Sequence, residues 1–325
     1  ISNVARLSGD GGGTGGGVMI GWGAEAVLSG NSILSNTAVY TPTGLADGKG
    51  GGVYLYSDGG TLIDNEIRGN VAAVNGLGGG GGVHAGGGLH GNRILYNTAS
   101  VNSQGYGGGV YANYVTVFED NLVQGNVASQ NSDGSGGGVW GRYFTGALHN
   151  TIVDNIATRG GGLYYTSYTG KLTLRENLIA HNQATGTASE PPDGGGGIAS
   201  AANEVEMTFN DILSNTAKGA GGGVLFTGGN QYAFESNQVI SNTAMAGGGM
   251  AVYTATGTIS HNQVISNLAL VGGGLYVWGD AQPTLDSNVV MSNTAAGFNA
   301  AGGGVLVSLS DGLPITLTNH IIARN

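Results

Sequence analysis

One short run of residues recurs along this chain and restricts its fold more than any other feature. It reads Asn, any residue, Ile or Val, two more residues, Asn, any residue, Ala. It appears as Asn31-Ser-Ile33-Leu-Ser-Asn36-Thr-Ala38, as Asn65-Glu-Ile67-Arg-Gly-Asn70-Val-Ala72 and as Asn92-Arg-Ile94-Leu-Tyr-Asn97-Thr-Ala99. Further copies begin at Asn121, Asn150, Asn177, Asn210, Asn237, Asn262 and Asn288, and His320 takes the first Asn slot of the last. Between copies stand three glycines and an aliphatic residue, as in Gly50-Gly-Gly-Val53, Gly80-Gly-Gly-Val83 and Gly272-Gly-Gly-Leu275. A period of roughly 25–35 residues is that of a solenoid, one unit stacked on the next. A single β-solenoid domain over residues 1–325 is therefore expected, although length alone would suggest two domains.

Composition agrees with a folded repeat. The 67 Gly occur with only 5 Pro, which excludes collagen, and 40% hydrophobic against 9% charged residues excludes a disordered chain. Net charge is −10 with 10 Lys and Arg spread along the length, so no basic patch is present for nucleic acid or anionic lipid. No apolar stretch reaches the length of a membrane span, so no membrane insertion is expected. The absence of Cys removes disulfides, thiol nucleophiles and Cys-ligated zinc, and it suits export through an oxidising compartment. The opening Ile1-Ser2-Asn3-Val4-Ala5 matches the back half of a repeat, and Asn325 falls in the second Asn slot. These ends read as a segment of a longer solenoid.

The slot two residues after the first Asn is always β-branched, including Ile33, Ile67, Ile94, Val123, Ile152 and Ile179. Such side chains are stiff at χ1 and suit a pleated surface. Three residues before that Asn lies a second apolar slot (Leu28, Leu62, Leu89, Phe118), although the fifth coil has Ala147 there beside Leu148. Alternation follows the glycines, as in Val53-Tyr54-Leu55. Each unit thus supplies three short strands with no helical period. The fold class is all-β: a right-handed single-stranded parallel β-helix of about eleven coils, stacked about 4.8 Å apart. The Asn slots are expected to turn the chain in the left-handed conformation and to form a coil-to-coil amide ladder. The motif Ala (Ala38, Ala72, Ala99) has room for one methyl inside, and the triple glycine permits positive φ and close backbone approach. Long insertions fall between that Ala and the glycines, over residues 39–49, 100–107 and 185–194. A loop-bearing edge of this kind is where solenoids place function.

The alternation of triple-glycine-aliphatic with this Asn motif resembles bacterial surface and secreted β-helix proteins. These are the polymorphic outer-membrane protein repeats and the pectate-lyase-like β-helix proteins. The resemblance spans essentially the whole chain and implies a secreted or cell-surface rod, often a passenger or adhesin. The chain lacks the regular Phe-x-x-Asn of the polymorphic proteins, matching it only at Phe118–Asn121 and Phe234–Asn237.

Residues in one slot of successive coils become neighbours, which nominates candidate sites. The slot before the first Asn holds Asp64, Gly91, Asp120, His149 and Glu176. An Asp120–His149–Glu176 column is a weak catalytic candidate for proton transfer and could also hold a metal. The plainer reading is a solvated surface with ordinary charge pairing, such as Glu66 with Arg93, His90 beside Glu119 and Asp154 beside His181. Polysaccharide-cleaving β-helix enzymes need converging carboxylates, and the Asn-Thr-Asp, Asp-Asp and Arg-Ile-Lys strings of polygalacturonases are absent. No metal and no cofactor is expected.

The slot after the glycine-flanked aliphatic residue faces outward and holds Tyr54, His84, Tyr111, Trp140 and Tyr164. Such an aromatic strip can stack on sugar rings or meet a partner. Aromatics also suit strands for their own sake. Late in the chain Leu213, Ile240, Ile265 and Met291 mark either a lateral contact or a partly buried corner. An interrupted Thr column (Thr37, Thr98, Thr216) lacks the second rank that ice binding requires. The expectation is therefore a non-enzymatic structural or adhesive rod, secreted or on the cell surface. Its partners would be a glycan or surface partner, or further copies joined end to end or laterally. The alternative is a polysaccharide lyase or hydrolase.

Overall fold

The computed structural model describes residues 3–6, 12–41, 46–56, 60–115, 117–167, 170–188, 192–228, 231–297, 299–310 and 313–325. The expectations for Ile1, Ser2 and the loop tips at 42–45 and 189–191 lie outside the described residues. The chain forms two compact units: Ile1–Thr158 with Gly162–Tyr164, and Arg159–Gly161 with Tyr165–Asn325. Each is built of strands paired in parallel with the equivalent strand one repeat away, and the described residues contain no helix.

In the first unit the β-branched slot builds the first sheet, from Ser32–Leu34, Glu66–Arg68, Arg93–Leu95, Leu122–Gln124 and Thr151–Val153. Ile33, Ile67, Ile94, Val123 and Ile152 pair one above another in register and are buried. The residues after the glycines build the second sheet, from Val18–Ile20 through Val53–Leu55, Val83–Ala85 and Val110–Asn113 to Val139–Arg142. The third sheet comes from the residues before the first Asn, from Ala26–Ser29 to Gly146–Leu148. Ala147 does leave its slot underfilled, and Phe144 compensates. Its fully buried ring meets Phe118 edge-on at 5.6 Å.

The second unit repeats the plan. Ile179, Ile212, Val239, Val264, Val290 and Ile322 align in its first sheet. Two further short pairings accompany the three sheets of the first unit. One carries the buried Ala38, Ala72 and Ala99 (Thr37–Val39, Val71–Ala73, Thr98–Ser100). The other joins Gly13–Thr14, Gly48–Lys49, Gly78–Gly79, Gly105–Tyr106 and Gly134–Ser135.

The Asn slots form the expected ladder, with one correction. The Asn residues are not the left-handed ones; the residue before each of them is. Ser35, Asp64, Tyr96, Asp120 and His149 have φ of 54°, 54°, 53°, 56° and 55°. Turning the chain one residue early leaves the Asn side chain inside, where it bonds to the neighbouring coils. Asn97 Oδ1 accepts from the backbone N–H and the Nδ2 of Asn70, at 2.9 and 3.0 Å. Its own Nδ2 donates to Ile67 O at 2.9 Å and to Asn126 Oδ1 at 3.0 Å. The same set recurs at Asn65, Asn92 and Asn121, and in the second unit at Asn215, Asn242 and Asn267.

The triple glycine answers three separate demands, as Gly50–Gly52 illustrate. Gly50 has φ +62°. A Cβ on Gly51 would lie 2.3 Å from Gly81 O, and one on Gly52 would lie 2.9 Å from Ile67 Cγ2 and 3.0 Å from Asn70 Nδ2. The third glycine is therefore the surface against which ladder and β-branched column pack.

Two substitutions test this cross-section. Ile152→Ala removes a buried side chain stacked on Val123 and is expected to cost about 2–5 kcal/mol. Asn97→Ala orphans donors on Asn70 and the carbonyl of Ile67 in a dry interior, and is expected to cost at least about 3 kcal/mol. Denaturant unfolding measures both, and midpoints equal to that of the unsubstituted protein would contradict the assignment.

Candidate functional site

The outward strip of the second sheet is a stacked column rather than an exposed face. Tyr54 and His84 stack at 5.0 Å, His84 and Tyr111 meet at 4.4 Å with a tilt of 34°, and Tyr111 and Trp140 stack at 4.4 Å. Register explains the spacing, because His84 pairs with Tyr54 and Tyr111, and Tyr111 with Trp140. Tyr54 and Trp140 are only 9% and 8% exposed. Tyr164 follows in the same slot and is half-buried. Partial cover comes from the second residue of a Gly-x-Gly-Gly-Gly run, which sequence reading passed over. Thr14 Oγ1 meets Met19 Sδ at 3.2 Å, and Tyr106 meets Trp140 edge-on at 5.9 Å. A Cβ on Gly79 would lie 3.5 Å from the ring of Tyr111. Ring faces in this column are mostly spent on one another.

His84 sits between two phenol rings, and its Nδ1 is buried without a hydrogen-bond partner among the described residues. Burial, assisted by the charge of Lys49, pushes its pKa down to about 3. Burial likewise raises the Tyr54 and Tyr111 hydroxyls.

The polar column before the first Asn is partly assembled. Asp120 and His149 come together, with His149 Nδ1 at 3.6 Å from Asp120 Oδ1. A third member joins that sequence reading had paired elsewhere: His90 Nδ1 lies 3.6 Å from Asp120 Oδ2, although His90 is in register with Glu119. All three side chains are about half exposed. Glu176 belongs to the second unit and holds the guanidinium of Arg175 at 2.8 Å. Glu66 and Arg93 pair across the first sheet as expected, at 3.9 Å. No cluster of metal-ligating side chains occurs among the described residues. An imidazole against a carboxylate is a general-base arrangement, yet its exposure also fits ordinary surface pairing.

Three features escaped the sequence reading. Asn75, Asn102 and Asn131 build a further amide ladder across the insertions of the first unit, with Nδ2–Oδ1 distances of 2.8 and 2.9 Å. In the second unit the buried Asp193 holds Arg159 and accepts the N–H of Ala188, which pins its longest insertion. Tyr114 and Tyr143 stack at 4.8 Å on the turn between the second and third sheets, with φ of 64° and 52°. Alternation marks only strand residues, so a turn residue carried no signal.

His84 gives a pH test. Its folded value lies below the free value of 6.5, so the folded state favours the neutral ring. That contribution is complete above pH 6.5 and is lost as pH falls toward 3, at about 1.4 kcal/mol per pH unit. His84→Phe keeps an aromatic ring in the stack and removes the titration. Its melting midpoint should fall less between pH 7 and pH 4 than that of the unsubstituted protein; parallel profiles would contradict this.

The model of the right-handed β-helix region matches residues 8–239 and 187–311. No curated protein and no solved structure matches the chain. The two family matches together cover most of the sequence, and the parallel coils described above are the architecture that model describes. The chain belongs to the right-handed β-helix family.

Proposed function

We propose that this chain is a non-enzymatic structural or adhesive β-solenoid that works outside the cell, at a cell surface or in an extracellular filament. The observation that carries the reading is the use of its buried polar side chains. They are overwhelmingly the Asn of the two interior ladders, whose amides bond from one coil to the next. The sequence is devoted to stacking, coil after coil, as a rod-like element requires. Absence of Cys suits an exported chain. The partner in this reading is a glycan or another surface component, met by side chains on the turns.

The second reading is a polysaccharide lyase or hydrolase, favoured by one observation: the Asp120 carboxylate flanked by His90 and His149. In that reading His149 is the general base and Asp120 orients it. One assay separates the two. Purified protein incubated with polygalacturonate and neutral polysaccharides is expected to release neither reducing nor unsaturated ends. Release that disappears in Asp120→Asn and His149→Ala would establish the enzyme instead.

A further inference from the structure

The insertions of the first unit close over one another by amide contacts, and one of these amides stands in a sequence unlike the rest. Asn102 Nδ2 donates to Asn75 Oδ1 at 2.8 Å, Asn131 Nδ2 donates to Asn102 Oδ1 at 2.9 Å, and Asn75 Nδ2 donates to Thr41 O. Asn75 is followed by Gly76, the only Asn-Gly pair in the sequence. The Asn of the interior ladders are followed by larger residues, as at Asn70-Val71, Asn97-Thr98 and Asn126-Val127.

Packing demands this glycine. Gly76 is buried, and a Cβ there would run into the backbone of Ala46. The pair that results brings its own chemistry. A backbone nitrogen with no β-carbon beside it is the least obstructed nucleophile that an Asn side chain meets in its own chain.

We propose that Asn75 is a deamidation site, kept closed by the amide ladder of the insertions. In the reaction hydroxide takes the proton of the Gly76 N–H, and the nitrogen attacks Asn75 Cγ. The N–Cγ bond forms, the Cγ–Nδ2 bond breaks, and Nδ2 leaves as ammonia with a proton from water. Water then opens the cyclic imide at either carbonyl, giving aspartate or isoaspartate. The balance is one water consumed and one ammonia released.

The structure opposes the first step. Attack turns the planar amide tetrahedral, which moves both of its ends, and those ends are tied to Asn102 and to Thr41. Gly76 is held as well, because the buried Ser100 hydroxyl donates to Gly76 O at 2.9 Å. The clamp is itself braced, with the Asn102 N–H donating to Val74 O at 2.9 Å. Conversion removes the donor to Thr41 O and sets a carboxylate against a buried carbonyl. The insertion at residues 39–49 then loses a tie to the coil beside it. The inference concerns how long this edge survives and is independent of what the chain binds.

Mass spectrometry follows Asn75 over days in warm, mildly alkaline buffer, with a synthetic peptide of residues 71–80 as the unguarded reference. The folded protein is expected to convert at least about tenfold more slowly than the peptide, since two hydrogen bonds must open first. Asn102→Ala removes an exposed clamp and leaves both interior ladders in place. It should speed conversion about fivefold, the population change that one ordinary hydrogen bond controls, with an unchanged melting midpoint. Asn131→Ala removes a rung bonded to Asn102 rather than to Asn75, and should leave the rate within about twofold. Conversion of the folded protein as fast as the peptide, an unchanged rate in Asn102→Ala, or equal acceleration by Asn131→Ala would overturn the guard. A peptide that converts while Asn102→Ala does not would overturn the site. Asn75→Asp copies one product and should lower the melting midpoint; an unchanged midpoint would overturn the loosening of the insertion.

Discussion

The structure depends on a property of the asparagine amide: two donors and an oxygen that accepts twice, at the end of a single methylene. Where a parallel coil turns, backbone N–H and C=O groups point inward with no strand partner, and leaving them so in a dry interior costs about 1–3 kcal/mol each. Asn97 meets all of these needs, binding the N–H and amide of Asn70, the carbonyl of Ile67 and the amide of Asn126. Ser has one donor, Asp has none, and Gln adds a methylene that would displace every contact. His320 shows the limit of substitution. Its Nδ1 accepts the Asn288 N–H at 3.1 Å, but its Nε2 is buried without a hydrogen-bond partner among the described residues. A ring nitrogen replaces the acceptor and leaves the donor side of the amide unmatched.

The ladder then dictates its neighbours. An Asn that points inward requires a left-handed residue immediately before it, so Ser, Asp, Gly and His recur there on the outside of the coil. Facing the amide across the interior there is no space for a Cβ, which is why the third glycine of each triplet is bare. Beside it the β-branched side chain fills the remaining volume in one rotamer. One hydrogen-bonding pattern thus accounts for four slots of the repeat.

Much of this was legible in the sequence because the demands repeat. Period, strand slots, ladder and buried Ala could be read without coordinates, since each imposes one residue type coil after coil. The left-handed residue was misplaced by one, because Asn has a known tolerance for that conformation and its role as a ladder rung competes with it. The aromatic strip was read from alternation, which says which way Tyr111 and Trp140 point but not that Gly79 and Tyr106 from another short sheet lie against them. His90 was paired with Glu119 by register; the longer reach of its ring brings it to Asp120 instead. Tyr114 and Tyr143 went unnoticed because they stand on a turn, outside every periodic slot.

Those turns are where the coils of each unit depart from one another. Insertions draw the eye, and in this chain they fold onto one another through Asn75, Asn102 and Asn131 or are pinned by Asp193. A deletion does the opposite. Shortening one turn to Gly86–Gly87 leaves Asn92 and Asn97 bonded to their ladder neighbours, because both ladders lie at other corners. The fold tolerates the loss. In a solenoid held together by its interior amides, the length of an outer turn is therefore free to change without the loss of a ladder bond.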